Sequence, residues 1–310
     1  HAQGGHIISY AGHDNTTALQ NPATLNKETR NAVSFNYMFH FSDIGSGYAG
    51  YSNYSKKLNI DWHTAVQFTD YGTFQGADAW GNLTQDFNGS DYAFIAGASR
   101  SLNERINIGI NTKFIFSRLE SYIATGIGFD VGAHYNLPDK NASLGLSLKN
   151  MGFLTKSYTD TGGLLPFDLQ LGFSKKLKYL PFRYTVTGHH LYKWNLRFEN
   201  ETNQNLQNLD PEAGGPSGFA KFTDNLFRHL IFSGEFLLGK KENLKLRLGY
   251  NHMLRQELKV GRIRTITGFS GGVELKVKQF FIAYSMGVQH IHGSTKQLSL
   301  RTNFSSFKKK

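Results

Sequence analysis

The chain has 310 residues, with 25 phenylalanines, 15 tyrosines, 33 glycines, 6 prolines and no cysteine, and its formal net charge is +11. The absence of cysteine excludes a disulfide framework and thiolate metal sites. No run approaches the ~20 apolar residues that a transmembrane helix needs, which excludes helical spanning. The basic residues are scattered over turns and alternating strand positions, so we interpret most of the charge as solvated and expect no nucleic-acid partner.

The beginning of the chain lacks the pattern of a strand. The stretch Ala18-Leu19-Gln20-Asn21-Pro22-Ala23 does not alternate between apolar and polar residues, and Pro22 cannot donate a hydrogen bond to a sheet. We therefore predict that residues 1–30 form a non-strand segment and that residues 31–310 form one β-domain.

From residue 31 onward, apolar residues recur with a period of two, which is typical of strands with one buried and one exposed face. The clearest face consists of Ile123, Thr125, Ile127, Phe129, Val131, Ala133 and Tyr135. We predict about fourteen strands, near 31–41, 45–55, 58–70, 90–100, 104–117, 120–135, 142–150, 166–176, 181–191, 228–239, 243–253, 264–277, 279–290 and 294–307.

The predicted connections alternate between short and long, strictly in the second half of the chain and mostly in the first. The longer ones lie at 70–90, 151–165 and 192–227, with a medium one at 254–263. Outer-membrane barrels show this asymmetry, with tight periplasmic turns and extended outer loops. An even strand number places both termini on one side.

A water-soluble β-sandwich is the rival interpretation, since its strands also alternate. Strands of ten or more residues, unequal connections and aromatic residues near strand ends favour the membrane. A closed sheet also leaves no unpaired edge in lipid. We therefore predict an all-β, fourteen-stranded antiparallel transmembrane barrel, integral to the outer membrane and surrounded by its lipid.

Catalytic and metal-binding patterns are weak. His189-His190 and His290-x-His292 could bind a metal, but histidines at strand ends are more often solvated. Gly126-Ile127-Gly128 lacks the following helix of a dinucleotide site. Neither calcium-loop spacing nor an acid/base pair is evident among the acidic residues Glu199, Glu201, Asp210, Glu212 and Asp224. We predict no enzymatic activity, no cofactor and no metal.

The segment from Gly4-Gly5 to Asn26, with Asn21-Pro22-Ala23 before the first strand, resembles the amino-terminal plug of the FadL-like outer-membrane family. More specific similarity is to the PorQ family of the Bacteroidetes type IX secretion system, and it covers nearly the whole chain. It is carried by Asp70-Tyr71-Gly72-Thr73-Phe74, by Leu165-Pro166-Phe167-Asp168 and by segments 113–122 and 224–230. The resemblance implies a plugged fourteen-stranded barrel that holds the surface protein PorZ beside the sortase PorU and the barrel PorV.

Both ends depart from the family pattern. The family has a longer segment before Gly-Gly, so we expect residues to be missing before Gly4 and the plug to be incomplete. Barrels also commonly end on an aromatic residue, whereas Lys308-Lys309-Lys310 follow Phe307 here.

Two functions follow from the resemblance: a membrane anchor for a surface partner, or a FadL-like transporter of hydrophobic small molecules. The faces predicted to point inward carry Asn107, Asn111, Lys113, Asp130, His134, Arg247, Glu274 and Lys276. They are more polar than the pocket of a fatty-acid carrier, so we favour the anchor.

The longest connection, 192–227, supplies the predicted partner-binding residues. Phe219, Phe222, Leu226 and Phe227 are apolar anchors of the kind that dominate interface energetics. The alternative is that they fold back over the mouth of the barrel as a lid.

Overall fold

A computed structural model describes residues 2–159, 162–197, 217–258, 266–290 and 293–307. Its strands are β1 Ala32–Phe39, β2 Gly45–Ser55, β3 Ile60–Phe74, β4 Phe87–Ser101, β5 Ile106–Leu119, β6 Tyr122–Leu137, β7 Ala142–Lys156, β8 Asp168–Lys176, β9 Phe182–Gly188, β10 Leu230–Leu238, β11 Leu244–Asn251, β12 Phe269–Val277, β13 Phe280–His290 and β14 Gly293–Asn303. Each pairs antiparallel with its neighbours in sequence, and β14 pairs with β1. The predicted closed fourteen-stranded barrel is confirmed.

Helices contribute little to the wall. The helices are α1, Gly218–Arg228, and α2, His252–Glu257, with short 3-10 turns at Asn15–Leu19, Pro22–Thr24, Lys27–Thr29, Pro138–Lys140 and Phe304–Phe307. Within the described ranges, no helix is both long and apolar enough to cross a membrane.

The barrel wall carries its apolar side chains on the outside. On β6, Phe129 and Val131 are exposed whereas Asp130 is fully buried. The other exposed wall residues include Phe35, Ile108, Ile110, Phe114, Leu146, Leu171, Phe236, Leu248, Ile282, Leu298 and Leu300. A soluble sandwich would bury this face. An apolar outer band around a closed, even-numbered barrel with a polar interior is the arrangement of an integral outer-membrane protein.

The apolar core inside the barrel is small. Tyr48, Ala65 and Ile95 form a buried cluster on β2, β3 and β4, and Leu19 of the amino-terminal segment packs against it. Most of the other fully buried side chains are polar, such as Gln170, Glu235 and Asn111. The interior therefore has to be held together by hydrogen bonds and ion pairs.

The connections differ in length between the two ends of the barrel. One end, which we call the turn end, carries the connections 56–59, 102–105, 138–141, 177–181, 239–243 and 278–279. The opposite end, the loop end, carries the long connections 75–86, 157–167, 189–229 and 252–268. Following the asymmetry of outer-membrane barrels, the turn end is periplasmic and the loop end is outside.

The alternation of connection lengths has two exceptions in the first half of the chain, where it was predicted to hold only mostly. Residues 120–121 also lie at the loop end but form only a two-residue turn, because Leu119 pairs with Tyr122 and Glu120 takes a left-handed φ of 55°. Residues 40–44 at the same end are short as well. Strands β3 and β7 continue to Phe74 and Lys156, so their loops are shorter than predicted.

An arginine introduced on the outer face of the wall should destabilise the barrel more than one introduced on the inner face. Ile108 is 42% exposed on the outside of β5, and Asn107 faces the cavity at the turn end. Because Ile108 lies between the turn end and the middle of β5, we expect Ile108→Arg to destabilise the folded barrel by about 1–2 kcal/mol, less than at the midplane, whereas Asn107→Arg should cost much less. Both free energies of unfolding are measured by titrating the protein in lipid vesicles with denaturant. The folded fraction is read from the gel band that changes its migration on heating. A larger loss for Asn107→Arg would mean that the faces are reversed.

Candidate functional site

Residues 2–30 lie inside the barrel without forming a strand, and we call them the plug. Its 3-10 turns start after Asp14, Asn21 and Asn26, whose side chains accept hydrogen bonds from backbone N–H groups two residues onward. Asp and Asn are preferred at such caps because they satisfy the free N–H groups of the first turn. Pro22 fits the first position of its turn since no donor is needed there.

Asn21 of the plug is fully buried between the plug and the wall. Its Nδ2 donates to the carbonyl oxygens of Ile8, at 2.7 Å, and of Ala133 on β6, at 3.1 Å. Its Oδ1 accepts from the backbone N–H of Ala23 at 3.0 Å. Asn21 therefore connects two parts of the plug with the wall, and Asn21, Pro22 and Ala23 lie where the plug meets β5 and β6.

Glycines on the inner face leave room for the plug. Gly109 pairs with Gly132 across β5 and β6, and Gly145 pairs with Gly172 across β7 and β8. A side chain at Gly132 would collide with Asn21, and one at Gly145 would collide with the carbonyl of Ile8. These glycines are needed because the plug backbone approaches the wall closely there.

Polar side chains of the wall hold the plug along its length. The wall-to-plug hydrogen bonds include Asn111 Nδ2 to Ala18 O at 2.8 Å, Ser143 Oγ to Ser9 O at 2.5 Å, Ser147 Oγ to Gln20 O at 2.8 Å, Lys149 Nζ to Gln20 Oε1 at 2.6 Å and Thr187 Oγ1 to His6 O at 3.1 Å. Most of them are donated to plug carbonyls, so the irregular plug backbone is satisfied inside the barrel.

A chain of ion pairs crosses the inner wall on the opposite side of the lumen. Its links are Arg183–Glu235 at 2.5 Å, Glu235–Arg247 at 2.8 Å, Arg247–Glu274 at 3.1 Å, Glu274–Lys245 at 3.0 Å, Glu274–Arg301 at 3.5 Å and Arg301–Asp14 at 2.9 Å. We call this set the charge ladder. Because Arg183, Lys245 and Arg301 are buried, the interpretation of most of the basic charge as solvated was wrong for this set. Buried charges persist only when paired.

The plug completes the charge ladder. Burial raises the pKa of Asp14, but Arg301 and the hydrogen bonds from Thr16 outweigh it and hold the pKa well below its usual range. The carboxylate therefore stays charged at neutral pH. Tyr10 of the plug also lies over the guanidinium of Arg183, 3.7 Å from it.

Two cavities remain beside the plug. One of about 430 Å³ lies between the plug and strands β1–β3 and β10–β14. Its lining includes Leu19, Met38, Tyr48 and Phe281 and, from the charge ladder, Asp14, Glu235, Arg247, Glu274 and Arg301. The other, of about 930 Å³, opens at the turn end and is lined by polar residues such as Lys27, Arg105 and Asn107. The plug thus fills the lumen only in part, and the first cavity is the candidate binding site.

Comparison with known proteins identifies the fold. No protein-family model matches the chain, and no curated protein matches it. The structure is similar to the Pseudomonas putida toluene transporter TodX, with a TM-score of 0.58 and 13% identity over 98% of this chain and 96% of TodX. The deltaS2S3 mutant of TodX, described as a monoaromatic hydrocarbon channel, gives a TM-score of 0.56 and 15% identity over 96% of each chain. The similarity supports the expected outer-membrane barrel fold.

The predicted partner-binding residues lie on a helix. Phe219, Phe222, Leu226 and Phe227 belong to α1 and are exposed. No helix is predicted from the sequence for the connection 192–227. Ser217, which caps the helix, and the apolar spacings of three and four were the signals for it. Residues 198–216 of the connection, including Glu199, Glu201, Asp210 and Glu212, lie outside the described residues.

Histidines gather where β9 leaves the wall. The ring of His189 stacks on that of His6 of the plug, with centroids 5.8 Å apart, and its Nδ1 lies 2.5 Å from Nδ1 of His190. Burial lowers the pKa of His6 to about 3 and that of His189 to about 4, so both are neutral at pH 7. Across the described ranges, no group of three or more metal-binding side chains occurs. His292 and Lys308 to Lys310 lie outside those ranges.

The contacts of Asn21 predict how the plug can be loosened. We expect Asn21→Ala to destabilise the packed plug by about 1–3 kcal/mol, because two buried carbonyls lose their donor. In planar bilayers the unaltered protein should show no large steady conductance, and the variant should open more often. Hydrogen exchange of residues 2–30 should increase in parallel.

Asn136→Ala is the matched control for this prediction, since Asn136 is exposed and lines the wide cavity at the turn end. It should leave both conductance and exchange unchanged. A large, steady conductance in the unaltered protein would show that the plug does not close the lumen.

Proposed function

We propose that the chain is a FadL-like channel that takes a small hydrophobic molecule into the cavity between the plug and the wall. The cavity itself is the observation that carries this proposal. Its volume of about 430 Å³ lies within the range of roughly 300–1,000 Å³ for small-molecule sites. The fold likeness to TodX and its hydrocarbon-channel mutant also favours this function over the anchor that we preferred from the sequence.

The lining of the cavity combines apolar side chains with members of the charge ladder, so it fits a small ligand with an apolar body and a polar group. Leu19, Met38 and Phe281 supply apolar surface. The hydroxyl of Tyr48 is buried and has no hydrogen-bond partner among the described residues. An unpaired buried hydroxyl is costly, so a polar ligand group would gain a hydrogen bond if the Tyr48 ring turned towards the cavity.

Toluene uptake into proteoliposomes tests this function. Ala283 on β13 lines the cavity and pairs with Ser299, so Ala283→Phe would fill it from the wall. We expect the unaltered protein to accelerate toluene entry over protein-free liposomes and Ala283→Phe to abolish that acceleration. Glucose serves as the polar probe and should not enter.

The control is Ala133→Phe. Ala133 lies between the buried residues Gly132 and His134 on β6, so its side chain is on the outer face and the same substitution there leaves the cavity open. It should retain uptake. If the unaltered protein takes up toluene no faster than protein-free liposomes, the channel function is wrong for this class of ligand.

The polar interior favours a second function, the membrane anchor implied by the resemblance to the PorQ family. The charge ladder and the hydrogen-bonded plug leave no wide apolar path, as suits a barrel that serves mainly as a support. The loop end also exposes apolar side chains to solvent, and Trp80 and Leu164 are each 87% exposed. Such residues are suited to docking a surface partner. In this role the chain would hold PorZ beside PorU and PorV.

Affinity purification of the intact chain from native outer membranes tests the anchor. PorZ, PorU and PorV should be recovered together, and the double variant Trp80→Ser and Leu164→Ser should lose PorZ while still inserting. Deletion of residues 200–217 tests the long connection as the alternative docking surface. Recovery of none of the three proteins with the intact chain would exclude the anchor.

A further inference from the structure

Helix α1 turns its apolar face outward. Phe219, Phe222 and Leu226 are separated by three and four residues, so they lie along one face of the helix, and Phe219 is 80% exposed. Phe227 borders the same face and is also exposed. Globular proteins normally bury such a face, so its exposure requires a partner that is not part of the helix's own fold.

The polar face of α1 is the one that packs on the protein. Asn225 is only 4% exposed; its Oδ1 accepts from Leu196 N at 3.0 Å and its Nδ2 donates to Trp194 O at 2.5 Å. Asp224 pairs with Arg228 at 2.9 Å and with His252 of α2 at 3.1 Å. These contacts fix the rotation of the helix.

The charge of Asp224 supports this orientation. Burial raises its pKa, but the hydrogen bonds from Arg228 and His252 outweigh that effect and lower it. Because the pKa of Asp224 is lower in the folded protein than in the unfolded chain, its charged contacts stabilise the fold above the usual carboxylate range. This stabilisation is lost as the pH falls through the pKa of the folded state. At neutral pH the outward rotation of the apolar face is therefore maintained.

The exposed face continues the lipid-facing wall. The ring of Phe227 lies 6.1 Å from that of Phe232, which alternates on β10 with the buried residues Ile231 and Ser233. Trp194 is also exposed, and the centroid of its ring lies 5.5 Å from that of the Phe222 ring. We call Trp194, Phe219, Phe222, Leu226 and Phe227 the aromatic shelf. Aromatic residues of this kind form the belts of membrane barrels at the lipid–water interface.

The wall beneath the shelf is short. Strands β9 to β12 have 7, 9, 8 and 9 residues, whereas β3 to β7 have 15, 15, 14, 16 and 15. At about 3.3 Å per residue and a tilt near 40°, β9 covers roughly 18 Å, less than the ~25 Å apolar band of such barrels. The aromatic shelf lies where this sector lacks apolar surface.

We propose that the aromatic shelf is an interfacial anchor that inserts the apolar face of α1 into the outer leaflet of the membrane and completes the apolar band above the short strands β9–β12. The partner is the lipid surface rather than a protein. Lys193 is exposed beside Trp194 of the shelf and can reach anionic headgroups. This assignment depends on the barrel and not on either proposed function.

Site-directed spin labelling tests the proposal cleanly because the chain contains no cysteine. Single-cysteine variants Phe222→Cys and Phe219→Cys are labelled with a nitroxide and reconstituted into phosphatidylcholine–phosphatidylglycerol vesicles. Accessibility to oxygen and to the polar reagent nickel-EDDA is measured by power saturation. Both labels should be more accessible to oxygen than to nickel-EDDA, like a label at Phe236→Cys in the wall. Two positions are used so that failure of one variant to fold leaves the test intact.

The matched control is Lys221→Cys, on the opposite side of the same helix and exposed. Its label should be the more accessible to nickel-EDDA. The proposal is overturned if the labels at Phe219 and Phe222 behave like the one at Lys221. It is also overturned if they become shielded from both reagents only in native membranes, which would assign the shelf to a protein partner.

Discussion

The bilayer's intolerance of unpaired backbone groups is the constraint on which the rest of this structure depends. A sheet can lie in lipid only if it closes, and closure here joins β14 to β1. Because neighbouring residues on a strand point to opposite faces, closure divides every strand into a lipid side and a lumen side. The lipid side takes the apolar residues, so the lumen receives the polar ones, and an apolar core of ordinary size cannot form.

A polar lumen has to be neutralised from within. The charge ladder shows how, since Arg247 lies between Glu235 and Glu274, and Arg301 joins Glu274 to Asp14 of the plug. Removal of Glu235 or Glu274 would leave Arg183 or Lys245, respectively, charged and buried without its ion-pair partner, which is costly. The ladder therefore couples four neighbouring strands and β14 to the plug, so the plug is an integral part of the folded interior.

The two proposed functions make opposite use of this interior. A channel needs the plug to yield beside the cavity lined by Leu19 and Tyr48, whereas an anchor needs it to stay closed. The wall specifies the fold shared with TodX, but the contents of the lumen decide function. The wall is also not equally tall around the barrel, because its strands differ in length, and the aromatic shelf extends it above the short strand β9.

The sequence by itself determined the strands, their number and their two faces, because a period of two is a local property that Ile123 to Tyr135 display without reference to any other strand. It also marked Pro22 as incompatible with a ladder, so the plug segment was recognisable. Only the tertiary structure decided which residues meet inside. The pairing of Asp14 with Arg301, and of Gly145 with the backbone of Ile8, depends on the register of strands around the closed barrel and on the path of the plug. No local pattern encodes either. The rotation of α1 was equally hidden, since its apolar spacing predicts a helix and an apolar face, whereas the contacts of Asn225 and Asp224 decide that this face points away from the protein.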